Sequence, residues 1–97
     1  MYALALIRYR RPLDQVLTVI DEHRAYLGEL KAKGILIASG PFDPRSGGAL
    51  LLRVLDEDVH ATLDKVRDED PFTKKGMVQY ELLPWAPTIG KDALDRL

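Results

Sequence analysis

The segment from Ile35 to Phe42, Ile-Leu-Ile-Ala-Ser-Gly-Pro-Phe, constrains the fold more than any other part of the chain. Its apolar residues follow one another without alternation, so a β-strand here would be apolar on both faces. Such a strand needs cover on both sides, which predicts a position inside a sheet. Gly40 removes a side chain where the strand ends, and Pro41 fixes the backbone and lacks a hydrogen-bond donor. We therefore expect the strand end to leave room for another group.

Three further segments are predicted to form strands. Tyr2–Tyr9 and Ala49–Leu55 are almost continuously apolar, whereas Met77–Trp85 partly alternates and is expected to end at Pro84. Residues 43–48, Asp-Pro-Arg-Ser-Gly-Gly, are typical of a turn and predict a hairpin between the second and third strands. The glycine pair in this segment is interpreted as turn chemistry, since no phosphate-binding motif follows it.

Two segments carry apolar residues at helical spacing. The first begins at Pro12, runs to about Lys33 and is followed by Gly34 as the expected left-handed terminal residue. The second is expected to begin at Asp56 as a capping residue and to reach about Glu69, and residues 72–76 are expected to be a loop. The predicted buried stripes are Leu13, Val16, Leu17, Ile20, Leu27 and Leu30 in the first helix, and Val59, Leu63 and Val66 in the second.

The resulting order β-α-β-β-α-β is the split βαβ pattern of a ferredoxin-like sandwich, an α+β fold. Right-handed crossovers place both helices on one face of a four-stranded antiparallel sheet, and residues 1–97 form a single domain. The other face stays open, yet three strands are apolar on both faces. An exposed apolar sheet face marks an interface. We expect a homodimer in which two sheets pack face to face and bury about 1,500 Å² or more in total.

Composition excludes several classes of function. The chain has no cysteine, so disulfides, thiolate catalysis and cysteine-ligated metals are ruled out. A net charge of −1 and the lack of an exposed-aromatic strand motif disfavour nucleic-acid binding. No apolar segment approaches the roughly 20 residues that span a bilayer, so no membrane association is expected and a cytoplasmic location is the default. Two scattered histidines do not have metal-ligand spacing, and no cofactor is implied.

His23 and Asp70 are the strongest candidates for chemistry. His23 lies on the apolar stripe of the first helix, and Asp70 continues the stripe of the second, about 20° from the direction of Val59. Both should point to the sheet, where the carboxylate can fix the histidine tautomer and leave the other ring nitrogen facing a pocket. Two plainer alternatives remain open. His23 can be an inert histidine at the core boundary, and Asp70 can cap the backbone amides of Phe72 or Thr73.

Two other polar residues, Arg8 and Ser39, are weaker candidates. Arg8 ends the first strand, and it is either an ordinary surface arginine or an anchor for an anion at the pocket mouth. Ser39 more often bonds its own backbone than acts as a nucleophile, because covalent catalysis also needs an oxyanion hole. His60 lies about 100° from the stripe of its helix and is expected on the surface.

Four motifs in order along the chain resemble the YciI-like family over nearly the whole length. They are His23 followed by Arg-Ala-Tyr-Leu, then Gly34, then Ala38-Ser39-Gly40-Pro41, and finally Asp70-Pro71-Phe72. The resemblance implies a ferredoxin-like fold that forms a dimeric α/β barrel, and a His-Asp active site at His23 and Asp70. The family looks related to muconolactone-isomerase-like proteins and to a dehydrochlorinase that acts on a chlorinated hydroxyquinol.

The leading hypothesis is a cofactor-independent enzyme for a small cyclic or aromatic metabolite. His23 would act as general acid and base, oriented by Asp70, in an isomerisation, an HX elimination or a related lyase step. One rival is a dimeric module that binds a small molecule without altering it, and another is a purely structural tie between the helices. The residues expected to line the ligand site are Ser39, Gly40, Pro41, Arg8, Tyr9 and Phe72.

Overall fold

Four strands pair into one antiparallel sheet in the order β2-β3-β1-β4, in a computed structural model that describes every residue from Met1 to Leu97. This topology confirms the predicted α+β ferredoxin-like fold. The bounds are β1 Tyr2–Tyr9, α1 Leu13–Leu17, α2 Ile20–Ala32, β2 Leu36–Pro41, β3 Gly47–Arg53, α3 Val59–Glu69, α4 Pro71–Lys74, β4 Val78–Trp85 and α5 Lys91–Asp95.

Side-chain alternation along β1 divides the sheet into two unlike faces. Ala3, Ala5 and Ile7 are buried in the core with residues of α2 and α3, which lie on one side of the sheet. Leu4 and Leu6 point to the other side and are only half-buried. We call this second side the open face. Its apolar centre consists of Leu4, Leu6, Leu51 and Leu83, which the strand register brings together.

The prediction that Ile35–Phe42 lies inside the sheet is wrong, because β2 is an edge strand that pairs only with β3. Only Leu36 of this strand is buried, and the second half is exposed. That half carries small side chains, so it needs little cover. An edge position also suits Pro41, which has no donor for a ladder. At Gly40 an added Cβ would meet no atom within 4 Å, so no other group occupies the expected gap.

The predicted first helix is broken into α1 and α2 at Thr18 and Val19. The Thr18 hydroxyl donates to the Gln15 carbonyl at 2.6 Å, and Val19 takes over a core position with 2% exposure. Leu13 and Leu17, predicted to be buried, are each 41% exposed. The break therefore moves the buried stripe of this segment toward Val19.

Residues around the second helix also differ from the prediction. Residues 56–58 form a single 3₁₀ turn, in which Asp56 accepts a 2.7 Å hydrogen bond from the N-terminal amine and does not cap α3. The expected loop after Asp70 contains the short helix α4. Pro84 lies within β4 opposite Ala3, which an edge strand permits.

The glycine pair at 47 and 48 belongs to β3, so the interpretation as turn chemistry is wrong. A Cβ on Gly47 would lie 1.8 Å from the carbonyl oxygen of Ile7, and one on Gly48 would lie 2.6 Å from that of Gly40. These glycines therefore allow the neighbouring strands to approach β3 closely.

The C-terminal segment covers one end of the open face. The Tyr2 hydroxyl donates to Asp95 at 2.5 Å, and the Arg53 guanidinium donates to the backbone carbonyls of Leu94 and Leu97. As a result Tyr2 is only 5% exposed, although no other helix covers its face of the sheet. None of the helices combines the length and the hydropathy that a membrane crossing requires.

Candidate active site

The structure brings His23 and Asp70 into direct contact. His23 lies in α2, and Asp70 is the residue between α3 and α4. The Nδ1 atom of His23 is 2.9 Å from Oδ1 and 3.0 Å from Oδ2 of Asp70. Asp70 is completely buried, and His23 is 7% exposed. The buried faces of α2 and α3 thus bring these two side chains into hydrogen-bonding contact above the sheet.

Asp70 also caps the helix that follows it, as the plainer alternative predicted. Its Oδ1 atom accepts a 2.9 Å hydrogen bond from the backbone amide of Phe72, and its Oδ2 atom accepts one from the Tyr80 hydroxyl. The carboxylate therefore receives hydrogen bonds from three groups, which offsets the cost of burying its charge. The capping contact and the contact with His23 exist together.

These contacts fix the tautomer of His23. An ionised carboxylate only accepts hydrogen bonds, so Nδ1 of His23 carries the proton that it donates to Asp70. The other ring nitrogen, Nε2, has no hydrogen-bond partner in the protein, and it is not among the buried polar atoms that lack one. Nε2 therefore keeps some exposed surface, and His23 is one of the residues that line a cavity.

Two aromatic rings fix the plane of the imidazole. The Phe72 ring stacks on His23 with the ring centres 3.9 Å apart and the planes at 11°. Tyr9 packs against Phe72 edge to face at 6.2 Å. The stack and the carboxylate together restrict rotation of the imidazole, which keeps Nε2 directed away from Asp70.

Two tyrosines that the sequence did not identify support this pair. Burial, the charge of Asp70 and the hydrogen bond to it all raise the pKa of Tyr80, so the phenol stays protonated and remains a donor. Tyr26 donates to the Val66 carbonyl at 2.8 Å and so ties α2 to α3, and burial raises its pKa as well. The sequence contained one signal for Tyr80, because a tyrosine at an inward-facing position of a strand needs a hydrogen-bond partner for its hydroxyl.

The cavity beside His23 has a volume of about 220 Å³ and opens to solvent. Of the residues predicted to contact a ligand, Tyr9, Ser39, Gly40, Pro41 and Phe72 all line it. The complete lining is Ile7, Tyr9, Ile20, His23, Arg24, Leu27, Ser39, Gly40, Pro41, Arg45, Gly47, Gly48, Ala49, Leu50 and Phe72.

Arg8 does not line this cavity, which corrects its prediction as an anchor at the pocket mouth. It follows Ile7 on β1, so alternation directs its side chain to the open face. There its guanidinium lies 3.5 Å from the carboxylate of Glu81 and is largely exposed. The sequence did not identify Arg24 and Arg45, which do line the cavity.

No three histidine, aspartate or glutamate side chains come together as a metal site would require. His60 is exposed, as its helical position predicted. The chemistry available at the cavity is therefore that of an oriented imidazole, two guanidinium groups, a phenol and the Ser39 hydroxyl.

Comparisons with known proteins agree with this fold. A family model described as the YCII-related domain matches residues 1–86. No curated protein sequence matches the chain. Among solved structures the chain is similar to 5-chloro-2-hydroxyhydroquinone dehydrochlorinase (TftG) from Burkholderia phenoliruptrix AC1100, in complex with 2,5-dihydroxybenzoquinone. The TM-score is 0.74 and the sequence identity 25%, and the match covers 91% of this chain and 96% of the other.

Proposed function

This chain belongs to the YCII-related family, as the resemblance of its motifs predicted, and we propose that it is a cofactor-independent enzyme. It acts on a small cyclic or aromatic molecule by general acid and base catalysis, with HX elimination as the leading reaction. One observation carries the proposal. His23 lines a solvent-accessible cavity and has an unpartnered Nε2, while Asp70 holds Nδ1 at 2.9 Å.

The proposed step starts with the neutral imidazole of His23. Nε2 takes a proton from a C–H or O–H group of the ring, and the electrons of that bond move into the ring system. The leaving group X departs with its bonding electron pair, so the net loss is one proton and one X⁻. Asp70 stabilises the imidazolium that forms and keeps the tautomer correct. An isomerisation uses the same base, and His23 then returns the proton to a different atom.

The size of the cavity supports a ring-shaped ligand. A protein cavity of about 150 Å³ is large enough to bind benzene. The volume of about 220 Å³ here leaves room for a six-membered ring with oxygen or halogen substituents. The structurally similar protein is named as a dehydrochlorinase and holds a dihydroxybenzoquinone, which supports the same class of ligand for this chain.

A homodimer through the open face is part of the proposal. Leu4, Leu6, Leu51 and Leu83 form an apolar surface there that no helix of the same chain covers. Contiguous exposed apolar surface on a sheet is typical of an interface. The proposed partner is a second copy of this chain. The apolar surface occupies the middle of the sheet, and the family resemblance implies a dimeric barrel.

The proposed chemistry can be tested with 5-chloro-2-hydroxyhydroquinone as the probe. Chloride release and product absorbance are measured for the wild type, for His23→Gln and for Asp70→Asn. We expect His23→Gln to lose about 10²- to 10⁴-fold in kcat, the usual contribution of a general base, and Asp70→Asn to lose activity as well. His60→Gln is the matched control, since it changes the only other histidine, which is exposed.

Two outcomes would contradict the proposal. Turnover that is equal in the wild type and His23→Gln removes the imidazole from the mechanism. Saturable binding of 2,5-dihydroxybenzoquinone without chloride release or any change in the probe favours the binding module. The structural-tie alternative instead predicts that His23→Gln loses stability while no ring compound binds.

A further inference from the structure

Two arginines at the cavity have no acidic partner. Arg24 follows His23 on α2, and Arg45 lies in the loop between β2 and β3. Both line the cavity, and neither takes part in an ion pair. No aspartate or glutamate lines the cavity, because Asp70 lies behind the imidazole. The guanidinium groups of Arg24 and Arg45 are therefore the permanently charged groups that a ligand in this cavity meets.

Among the other arginines of the chain only Arg8 and Arg67 form ion pairs, so the position at the cavity is what distinguishes Arg24 and Arg45. Arg8 pairs with Glu81 and Arg67 with Asp68, while Arg53 donates to backbone carbonyls. Arg10, Arg11 and Arg96 resemble Arg24 and Arg45 in lacking an ion pair, but they do not line the cavity. Arg24 and Arg45 are thus the arginines that both line this cavity and lack an acidic partner.

A chain of contacts connects Arg45 to the imidazole. The Nε atom of Arg45 lies 3.5 Å from the Tyr9 hydroxyl. Tyr9 packs edge to face on Phe72, which stacks on His23. Arg45 therefore lies on the cavity side of the aromatic residues that hold His23. Apolar side chains of Ile20 and Leu27 line the same cavity and provide contact for the face of a ring.

We propose that Arg24 and Arg45 form an anion subsite and that the ligand is a ring carrying an ionised oxygen, as an enolate, phenolate or vinylogous acid. This inference rests on the proposed function, because it names the class of substrate for the same cavity. A guanidinium binds oxygen anions through paired N–H donors, and a partly enclosed site strengthens the attraction. The same charges stabilise the negative charge that accumulates on the ring as His23 removes a proton.

The test compares an anionic and a neutral ring of similar size. The probes are 2,5-dihydroxybenzoquinone, a vinylogous acid that is ionised at neutral pH, and hydroquinone, which is not. Dissociation constants are measured by calorimetry for the wild type, Arg24→Gln, Arg45→Gln and the matched control Arg11→Gln. All three positions are exposed, so the variants are expected to fold, and thermal unfolding checks this.

We expect each cavity variant to bind the anion about tenfold more weakly, the usual effect of losing one charge-assisted hydrogen bond. Hydroquinone binding should stay unchanged in both, and Arg11→Gln should match the wild type for both probes. The inference is overturned if Arg24→Gln and Arg45→Gln bind the anion as tightly as the wild type. It is also overturned if the wild type does not prefer the anion to hydroquinone.

The result can be separated from the test of the proposed function. If chloride release depends on His23 while the arginine variants bind the anion normally, the subsite is wrong and the acid-base proposal stands. If the arginine variants lose anion binding while His23→Gln turns over the probe normally, the subsite stands and the acid-base proposal is wrong.

Discussion

The imidazole of His23 is held by contacts of two kinds, a carboxylate at one edge and an aromatic ring on one face. Asp70 in turn is held by the Phe72 amide and the Tyr80 hydroxyl. Each of these groups limits a different movement of the pair. At the residue scale, therefore, the geometry of the His23–Asp70 pair depends on the groups that hold it.

Tyr80→Phe tests this support directly. The substitution keeps the ring but removes one hydrogen bond to a buried carboxylate, which should lower the free energy of unfolding by about 1.5–3 kcal/mol. Activity should also fall, because Asp70 is less firmly placed, while binding of a ring ligand is retained. Urea denaturation measures the stability, and Tyr9→Phe is the stability control, since its hydroxyl has no buried carboxylate partner. An unchanged unfolding free energy would contradict the account.

The same variant has a predicted pH signature. The pKa of Tyr80 is raised above its ordinary value of 10.0 in the folded protein. The phenol therefore contributes stability that is complete below pH 10 and is lost as the pH rises above 10 toward the folded value. Urea midpoints measured across this range should fall more steeply for the wild type than for Tyr80→Phe. Tyr26, whose pKa is also raised, contributes to the decline that remains in the variant.

The sequence identified the central pair because helical phase directs His23 and Asp70 toward the sheet and the family resemblance implies a His-Asp site at the same two residues. It failed for Arg8 because the face of β1 that a residue occupies depends on which side the helices cover, and that side was not specified. Arg24 and Arg45 could not be recognised, since one is an exposed helical position and the other a loop position. Only the fold brings both to the same cavity.

At the scale of elements, the strands were predicted more accurately than their places in the sheet. The bounds of β1 agree with the prediction, whereas β2 is at the edge instead of inside. Strand order depends on crossovers between distant segments, which the apolar pattern of a single strand does not specify. The break at Thr18 and Val19 was missed because both neighbouring segments keep helical spacing across it.

Gly48 provides an element-scale prediction. A Cβ at this position would lie 2.6 Å from the carbonyl oxygen of Gly40, an atom that cannot move without shifting β2. Gly48→Ala should therefore destabilise the fold by about 1–3 kcal/mol, as overpacking does, and should weaken ligand binding at the cavity that β2 lines.

Gly28→Ala is the matched control for that substitution. Gly28 is in the exposed part of α2, and an added Cβ would meet nothing within 4 Å. Alanine there should stabilise the helix by about 0.5–1 kcal/mol. Thermal or urea unfolding of the two variants measures the contrast. Equal stability of the two would contradict the proposed close approach of β2 and β3.

The whole molecule combines a closed side, where the helices bury the core and the cavity, with an open side that has an apolar centre. The sequence predicted this asymmetry correctly, because its strands are apolar on both faces while its two main helical segments cover only one face of the sheet. The cover that the C-terminal segment gives to Tyr2 was not predicted, since residues 86–97 carry no strong pattern.

Leu51→Glu tests the homodimer at this scale. Leu51 is in the middle of the open face, opposite Leu4, so a charge there should be incompatible with a buried interface. We expect the wild type to be a dimer and this variant a monomer by light scattering coupled to size-exclusion chromatography. Ile89→Glu is the control, because Ile89 is 99% exposed and lies outside the sheet. A monomeric wild type would contradict the proposed interface.

The most direct test of the central claim is a ¹⁵N NMR measurement on the imidazole of His23, at a pH where the ring is neutral, with and without 2,5-dihydroxybenzoquinone. The account predicts a protonated Nδ1, an unprotonated Nε2, and a change at Nε2 when the ligand binds, because Asp70 holds one nitrogen and the cavity contains the other. His60 is the internal reference and should not respond. A protonated Nε2 with an unprotonated Nδ1, or an Nε2 signal that the bound ligand leaves unchanged, would contradict the account.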